Sequence, residues 1–208
     1  MPYRIRSLAD GNQFHDPDGL AAAAGISSAN WPLFGMTWPA GLMLAGLASR
    51  EPFGRGRVLE LGCGLGIASL VANARGADIL ASDQHPMAAD FLRGNSARNG
   101  LADTPFRRVD WAVRDDGLAL FDCIMGSDLL YEPDHPALLA AFMARHSHAG
   151  TRILLVAPMR RLHGRFLRLM EAAGFASRSE TASTADFDAY GFKGVIQRFD
   201  GFNPPARG

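Results

Sequence analysis

The chain has 208 residues, of which 48% are hydrophobic and 20% charged, so it can bury the core of one domain and is not a disordered chain. Lysine and arginine together number 21, as do aspartate and glutamate, and this zero formal net charge argues against nucleic-acid binding through bulk charge. Lys193 is the only lysine, so the other 20 basic residues are arginines.

The N-terminal part of the chain is predicted to be mostly loop. Its first residues lack the apolar core of a signal peptide. Residues 19–49 carry no charge and could span a bilayer on length alone, but glycines, prolines and Asn30 interrupt the stretch. Only residues 39–49 are predicted to form a helix, with Thr37 as its cap and Pro39 in its first turn. We therefore expect no membrane span.

Strand and helix patterns alternate along the rest of the chain. Short apolar runs bounded by turn residues predict strands, and apolar residues spaced three or four apart predict helices. The predicted strands cover residues 57–61, 77–82, 106–109, 121–126, 152–157, 175–179 and 194–199. The predicted helices after residue 49 cover residues 67–74, 86–98, 136–145 and 162–173. Residues 180–192 are polar and are predicted to be a loop.

This alternation predicts an α/β fold, doubly wound, with a mostly parallel sheet covered by helices on both faces. The last two predicted strands have no helix between them, so we expect an antiparallel hairpin at one edge of the sheet.

A glycine-rich loop follows the first predicted strand. Gly62, Gly64 and Gly66 stand between that strand and the next helix, where a ligand can lie against backbone that carries no Cβ. Glu60 precedes the loop, and Asp83 ends the second strand, where a carboxylate can accept both hydroxyls of a ribose. The spacing G-x-G-x-G differs from the dinucleotide pattern G-x-G-x-x-G, which argues against a nicotinamide cofactor. The alternative is a tight turn beside an unrelated aspartate.

A second acidic position follows the third predicted strand. Asp110 could accept a hydrogen bond from the exocyclic amine of an adenine, and Trp111 could stack or pack nearby. Taken alone, the pair is better explained by a turn aspartate and a half-buried tryptophan.

The segments VLELGCGLGIASL, ASDQHP and VDW resemble the cofactor motifs of class I, seven-strand S-adenosylmethionine-dependent methyltransferases. The resemblance extends over roughly residues 30–200. It implies a sheet of seven strands, the last one antiparallel, with S-adenosylmethionine as cofactor and S-adenosylhomocysteine as product. It also implies that Glu60 and the glycine backbone approach the methionine part, Asp83 the ribose and Asp110 the adenine.

The end of the fourth predicted strand, GSDLLY, indicates the branch of this family. It lacks the Pro-Pro tetrad of amino-methylating nucleic-acid enzymes and the Pro-Cys of cytosine C5 enzymes. Asp128-x-x-Tyr131 resembles the (Asp/Glu)-x-x-Tyr signature of seven-strand protein-lysine methyltransferases. The upstream segment FGMTWPAGL (residues 34–42) and the pair Asp110-Trp111 also resemble that branch.

The resemblance therefore implies N-methylation of a lysine side chain in a protein, with Asp128 and Tyr131 as catalytic residues. Asp128 could hold the ammonium and orient the amine lone pair, and Tyr131 could offer a hydroxyl and a π-face to a methylated cation. The alternative is that Asp128 caps the next segment and Tyr131 packs in the core. The alternative functions are methylation of a small-molecule amine and a non-catalytic S-adenosylmethionine-binding module.

The implied division of the chain is an N-terminal extension or lid, residues 1–36, and a methyltransferase domain, residues 37–208. The cofactor-binding residues so predicted are Trp38, Glu60, Gly62, Cys63, Gly64, Gly66, Asp83, Asp110, Trp111 and Ser127. No metal and no nucleic-acid partner is expected. The sequence leaves the oligomeric state open, with a monomer as the working expectation.

The two cysteines, Cys63 and Cys123, are too few for a disulfide framework and indicate a reducing compartment, so a cytoplasmic location is expected. Cys63 could pack against the cofactor or be a small core residue. Trp38 could form a wall of the pocket or anchor the first helix. Asn95 and Asn99 share a helix face and are interpreted as capping and surface hydrogen bonding.

Three further clusters have ordinary interpretations. His146 and His148 lie near a helix end without an obvious third ligand, so a metal site is rejected there. Residues 13–16 are interpreted as a turn rather than a lid over the substrate. Residues 160–161, two arginines after the fifth strand, are interpreted as a solvated helix start rather than a site for an acidic substrate.

Overall fold

The computed structural model describes residues 2–158, 161–181 and 193–203. Its sheet has seven strands in the order β3-β2-β1-β4-β5-β7-β6. The strands are β1 (Arg57–Leu61), β2 (Asp78–Asp83), β3 (Phe106–Arg108), β4 (Phe121–Ser127), β5 (Ser147–Pro158), β6 (Ala176–Thr181) and β7 (Gly194–Asp200). The helices are α1 (Leu20–Ala23), α2 (Pro39–Ala48), α3 (Ile67–Ala74), α4 (Ala88–Arg98), α5 (His135–Arg145) and α6 (His163–Ala172).

The pairing of the strands confirms the predicted fold class. Strands β1 to β5 pair in parallel, and β7 is antiparallel to both β5 and β6. The β6–β7 hairpin therefore closes one edge of the sheet, as predicted. The strand order reverses between β1 and β4, and in open α/β sheets a crevice for ligands forms beyond the carboxyl ends of the strands at this point.

The central strands are apolar on both faces because helices cover both sides of the sheet. Val58 of β1 packs into a core with residues of α2 and α3. Leu59 and Leu61 of the same strand face the other side of the sheet and pack into a second core with residues of α5 and α6. This alternation with a period of two residues fixes which face of the sheet each strand residue serves.

Most predicted elements are confirmed to within two residues at each end, but the short helix α1 was not predicted and the starts of α2 and β5 differ from the prediction. Thr37 does not cap α2: the residue before the helix is Trp38, and it makes no capping hydrogen bond through its side chain. Strand β5 begins at Ser147, five residues before its predicted start. Ser147 pairs with Phe121 in β4, and the Thr151 hydroxyl donates to the Phe121 carbonyl (2.6 Å), so polar residues extend this strand.

The predicted loop at residues 180–192 is wrong at its start, because Glu180 and Thr181 belong to β6. Residues 182–192 lie outside the described part of the chain. Among the residues that the structure does describe, no helix combines the length and the apolar character needed to cross a membrane.

The N-terminal segment, residues 2–8, lies along α4 and is held by two asparagines. The Asn99 side chain bonds the N–H (2.8 Å) and carbonyl (2.9 Å) of Arg4. The Asn95 side chain bonds the N–H (2.7 Å) and carbonyl (3.3 Å) of Arg6. Asn95 is buried, so its interpretation as a surface residue is wrong. Tertiary contact with the N-terminal backbone supplies its hydrogen bonds.

Candidate active site

A cavity of about 610 Å³ lies beyond the carboxyl ends of the parallel strands. Its volume is in the usual range for small-molecule sites. Eleven of the twelve predicted site residues line it: Trp38, Glu60, Gly62, Cys63, Gly64, Asp83, Asp110, Trp111, Ser127, Asp128 and Tyr131. Motifs from four strand ends and from the segment before α2 therefore meet around one space.

The glycine loop fits closely against its neighbours. Gly62 and Gly64 have φ angles of 59° and 52°, which favour glycine. A Cβ at Gly62 would lie 2.5 Å from Leu129, and one at Gly64 would lie 2.7 Å from the Phe34 carbonyl oxygen. Any side chain here would disturb the wall of the cavity.

Gly66 is the predicted site residue that does not line the cavity. Its φ angle is 72°, and a Cβ there would overlap the Leu92 side chain of α4. The structure thus explains this glycine by the packing of α3 against α4.

Glu60 is buried beneath the glycine loop. Its Oε2 accepts hydrogen bonds from the Ser69 N–H (2.8 Å) and the Ser69 hydroxyl. Ser69 is the third residue of α3, so this carboxyl group satisfies an N–H that the first helical turn leaves open. Burial raises the pKa of Glu60 to about 7, against which the hydrogen bonds from Ser69 act.

Asp83 connects the end of β2 to the glycine loop. One oxygen accepts from the Gly64 N–H (2.8 Å) and the other from the His85 N–H (2.8 Å). Burial raises the pKa of this carboxyl group. A carboxylate has about four acceptor sites, so this group keeps acceptor capacity for the hydroxyls of a ligand.

Cys63, Asp110 and Trp111 line the cavity and also have contacts within the fold. Cys63 lines the cavity and is also a buried core thiol, whose pKa burial raises. Asp110 accepts from the Ala112 N–H (2.9 Å), which makes it a turn residue at the wall of the cavity. Trp111 is half-buried, with its ring 5.2 Å from that of His135.

Trp38 lies both at the cavity and at the start of α2. Its indole N–H donates to the Leu33 carbonyl (2.9 Å), which ties the start of α2 to the preceding turn, while the residue lines the cavity.

The Asp128-x-x-Tyr131 motif follows β4 directly. Asp128 has a φ angle of 51°, unusual for a residue with a side chain, and its N–H donates to the Val156 carbonyl of β5 (2.9 Å). At Asp128 the backbone therefore turns away from the direction of β4, beside the cavity. Tyr131 is 42% exposed, and its ring lies 4.5 Å from that of His135 at an angle of 73°.

The described residues that line the cavity include no lysine or arginine. They do include six carboxyl groups, those of Glu60, Asp83, Asp110, Asp128, Glu132 and Asp134. A cleft lined by one sign of charge attracts the opposite sign, so this cavity favours cationic ligands.

The segment that precedes α2, residues 14–34, supplies a wall of the cavity that the sequence did not predict in detail. Phe34 stacks on His85 with ring centres 3.8 Å apart, and Phe14 packs edge-on against both rings. Burial lowers the pKa of His85 to about 4, so this ring is neutral at pH 7. Asn30 donates to Glu132 (2.6 Å), which joins the segment to the loop after β4.

His135 was also missed, although its place four residues after Tyr131 is visible in the sequence. Residues 13–16 form no hydrogen-bonded turn of their own, so the turn interpretation is wrong: the Asp16 carboxylate instead accepts from Ala21 and Ala22 (both 2.9 Å) at the start of α1.

The remaining weaker candidates lie away from the cavity lining. His146 contacts Asp116 (2.9 Å), and His148 contacts Asp122 (3.1 Å). Arg161 is exposed, while residue 160 lies outside the described part of the chain.

The family model described as lysine methyltransferase matches residues 33–173. The chain belongs to the lysine methyltransferase family. It is 32% identical over 134 residues to the electron transfer flavoprotein beta subunit lysine methyltransferase of Xenopus laevis, which is 62% of this chain and 53% of that protein. It is 27% identical over 167 residues to the protein N-lysine methyltransferase METTL21A of Xenopus tropicalis, 74% of this chain and 77% of that protein.

This member of the family spans about half the length of the first of these relatives. Its fold is that of class I S-adenosylmethionine-dependent methyltransferases. The crystal structure of a TehB-like enzyme of that class from Corynebacterium glutamicum matches it with a TM-score of 0.60. The match covers 87% of this chain and 92% of the other at 18% sequence identity.

Proposed function

We propose that this chain is an S-adenosylmethionine-dependent N-methyltransferase that acts on a lysine side chain of a protein. The observation that carries the proposal is that one cavity joins the glycine loop and Asp83 to Asp128 and Tyr131. Membership of the lysine methyltransferase family supports it, as do relatives whose names state lysine methylation.

The residues present fit the cofactor. Gly62 and Gly64 form a backbone cradle that a Cβ would fill, and Asp83 retains acceptor sites for ribose hydroxyls. Asp110 and Trp111 stand where the adenine is expected, with Trp38, Cys63 and Ser127 as further wall. When bound, the cofactor supplies a methyl group on a cationic sulfonium sulfur, which suits the acidic lining.

Asp128 and Tyr131 act on the amine in this proposal. A lysine arrives as an ammonium ion, which the Asp128 carboxylate attracts and orients. The ammonium ion would first lose one proton to solvent water, so that its nitrogen lone pair could take the methyl group while the bonding pair of the broken C–S bond remained on sulfur. Tyr131 offers its hydroxyl and ring face to the cationic product. Orientation of the amine against the methyl group is the main source of rate enhancement in this proposal.

We further propose a role for the N-terminal residues, a cellular location, an oligomeric state and a class of partner. Residues 1–36 form an extension that serves as a lid, a role supported by Phe34 and Asn30 in the cavity wall. The chain acts in the cytoplasm, as a monomer, on a protein and not on a nucleic acid.

Incubation of the protein and a cell extract with methyl-labelled S-adenosylmethionine tests the function. We expect label in a protein band, and mass spectrometry should locate it on lysine. The Asp128→Asn variant should lose at least about 100-fold in turnover while its cofactor affinity changes little. The matched control is Asp90→Asn, since Asp90 is an exposed aspartate on α4 that pairs with Arg93.

Each other outcome contradicts part of the proposal. Label in small molecules alone would indicate an amine methyltransferase of another specificity. Tight cofactor binding without any transfer would indicate a binding module. Equal activity of Asp128→Asn and the parent would exclude the role assigned to Asp128.

A further inference from the structure

His135 is the first residue of α5 and lines the cavity between two predicted site residues. Its ring centre lies 4.5 Å from that of Tyr131 at 73° and 5.2 Å from that of Trp111 at 77°. Both contacts are edge-to-face, a favourable geometry for aromatic pairs. One imidazole therefore contacts aromatic side chains that follow two different strands, β3 and β4.

The orientation of this ring is set by the backbone of the same loop. The Nδ1 atom of His135 lies 2.7 Å from the carbonyl oxygen of Leu129. A carbonyl can only accept, so Nδ1 carries a proton and donates it in this hydrogen bond. The side chain of Leu129 is buried in the core that contains residues of α5 and α6. The imidazole is thus anchored to a fixed part of the fold.

Tyr131 has no comparable hydrogen bond among the described residues. It lies between the end of β4 and the start of α5, in a segment without helix or strand, and 42% of it is exposed. A tyrosine in such a loop could turn its ring into solvent. The ring of His135 provides the packing surface against which Tyr131 rests.

We propose that His135 is a positioning residue that holds Tyr131 in the orientation needed at the methyl-transfer site. The expected effect on turnover rests on the proposed function. The expected effect on the placement of the Tyr131 ring does not depend on that function. His135 acts through Tyr131, so its loss should reduce turnover and leave cofactor affinity unchanged. The two residues should also behave as one unit when both are removed.

Two variants distinguish the contribution of the imidazole ring from that of its hydrogen bond to Leu129. His135→Ala removes both, whereas His135→Asn keeps an N–H donor for the Leu129 carbonyl and removes the ring. We expect turnover to fall about 10- to 100-fold in both, with cofactor dissociation constants within twofold of the parent. In a Tyr131→Ala background, His135→Ala should cause no further loss. Thermal denaturation checks that each variant is folded.

A second measurement detects the placement of the Tyr131 ring and does not depend on methyl transfer. The chain has three tyrosines, so 3-fluorotyrosine gives three ¹⁹F resonances, and Tyr131→Phe identifies the one from residue 131. That resonance should move towards the free fluorotyrosine position in both His135 variants. If the parent transfers no methyl group, the proposed function fails while this shift still supports the positioning role.

The opposite results would overturn the inference. An unchanged ¹⁹F resonance of residue 131 means that His135 does not position the ring. Losses of turnover that add in the double variant mean that the two residues act independently. Parent-like kinetics of His135→Asn mean that only the hydrogen bond to Leu129 matters.

Discussion

Asp83 shows how one carboxylate can serve the loop and a ligand together. Each of its oxygens holds one backbone N–H, from Gly64 and from His85, so the group is already oriented towards the cavity. In the proposed function, the ribose hydroxyls would meet acceptors that are already oriented, which would reduce the entropy lost on binding.

Replacing this carboxylate should weaken cofactor binding. Asp83→Ala removes the acceptors for two hydroxyls, so the dissociation constant for S-adenosylmethionine should rise about tenfold or more. Calorimetric titration measures it. Asp78→Ala is the control, because Asp78 lies at the other end of β2 with its side chain 70% exposed. Equal affinity of Asp83→Ala and the parent would refute the ribose assignment.

Glu60 links the site to the pH dependence of stability. Its pKa is raised from an unfolded value of 4.5 to about 7, chiefly by burial. The folded state therefore favours the protonated carboxyl group. Its contribution to the free energy of unfolding is fully present below about pH 4.5 and is lost as the pH rises through about 7.

Glu60→Gln should remove this dependence, since a glutamine carbonyl can still accept from Ser69. As the pH rises from 5 to 8, the free energy of unfolding of the variant should increase by about 2 kcal/mol relative to that of the parent. Urea denaturation at both values measures the difference. His85, whose lowered pKa acts in the opposite direction, is present in both proteins and cancels. A parallel pH dependence of the two proteins would contradict the assignment.

The N-terminal segment is held on α4 by hydrogen bonds rather than by a strand pairing. Asn95 and Asn99 are one helical turn apart, and each bonds the N–H and the carbonyl of one residue, Arg6 and Arg4. The distance between Arg4 and Arg6 along the segment therefore matches the distance between Asn95 and Asn99 along the helix. Asn95 also donates to the Leu65 carbonyl (3.2 Å), which joins the segment to the glycine loop.

The two asparagines should differ in their effect on stability. Asn95→Ala leaves buried groups of the backbone unpaired and should cost about 2–4 kcal/mol of the free energy of unfolding. Asn99→Ala, at a partly exposed position, should cost about 1 kcal/mol or less. Chemical denaturation measures both, and hydrogen exchange should show faster exchange of residues 2–8. Equal costs would mean that burial does not decide the strength of these contacts.

The whole chain is neutral, yet its cavity is lined by acids. The positive charge is distributed elsewhere and comes almost wholly from arginine, which leaves Lys193 as the one lysine. Lys193 is exposed and directly precedes β7, whose first residue, Gly194, pairs with Pro158 at the carboxyl end of β5. It therefore lies at the same edge of the sheet as the cavity.

Self-methylation by the proposed enzyme should be confined to Lys193. When the purified chain is incubated with S-adenosylmethionine alone, peptide mass spectrometry should locate any added methyl on that residue. Lys193→Arg should abolish the signal without changing cofactor affinity. Methyl groups on arginine or histidine would indicate a different nucleophile and a different branch of the family.

Much of this molecule was predictable because its motifs are local in the chain. The alternation of strands and helices, the glycine loop, Asp83, Asp110 and the Asp128-x-x-Tyr131 motif each lie within or just after one strand. Parallel strands bring their carboxyl ends to one edge, so eleven of the twelve predicted site residues line a single cavity.

Other features depend on residues far apart in sequence, and only the tertiary structure decided them. The stacking of Phe34 on His85, the hydrogen bond from Asn30 to Glu132 and the burial of Asn95 against the N-terminal backbone have no local signal. The sequence by itself determined which chemical groups stand at the strand ends. The packing of loops and helices around those ends decided which side chains hold them in place, because such contacts form only after the sheet has assembled.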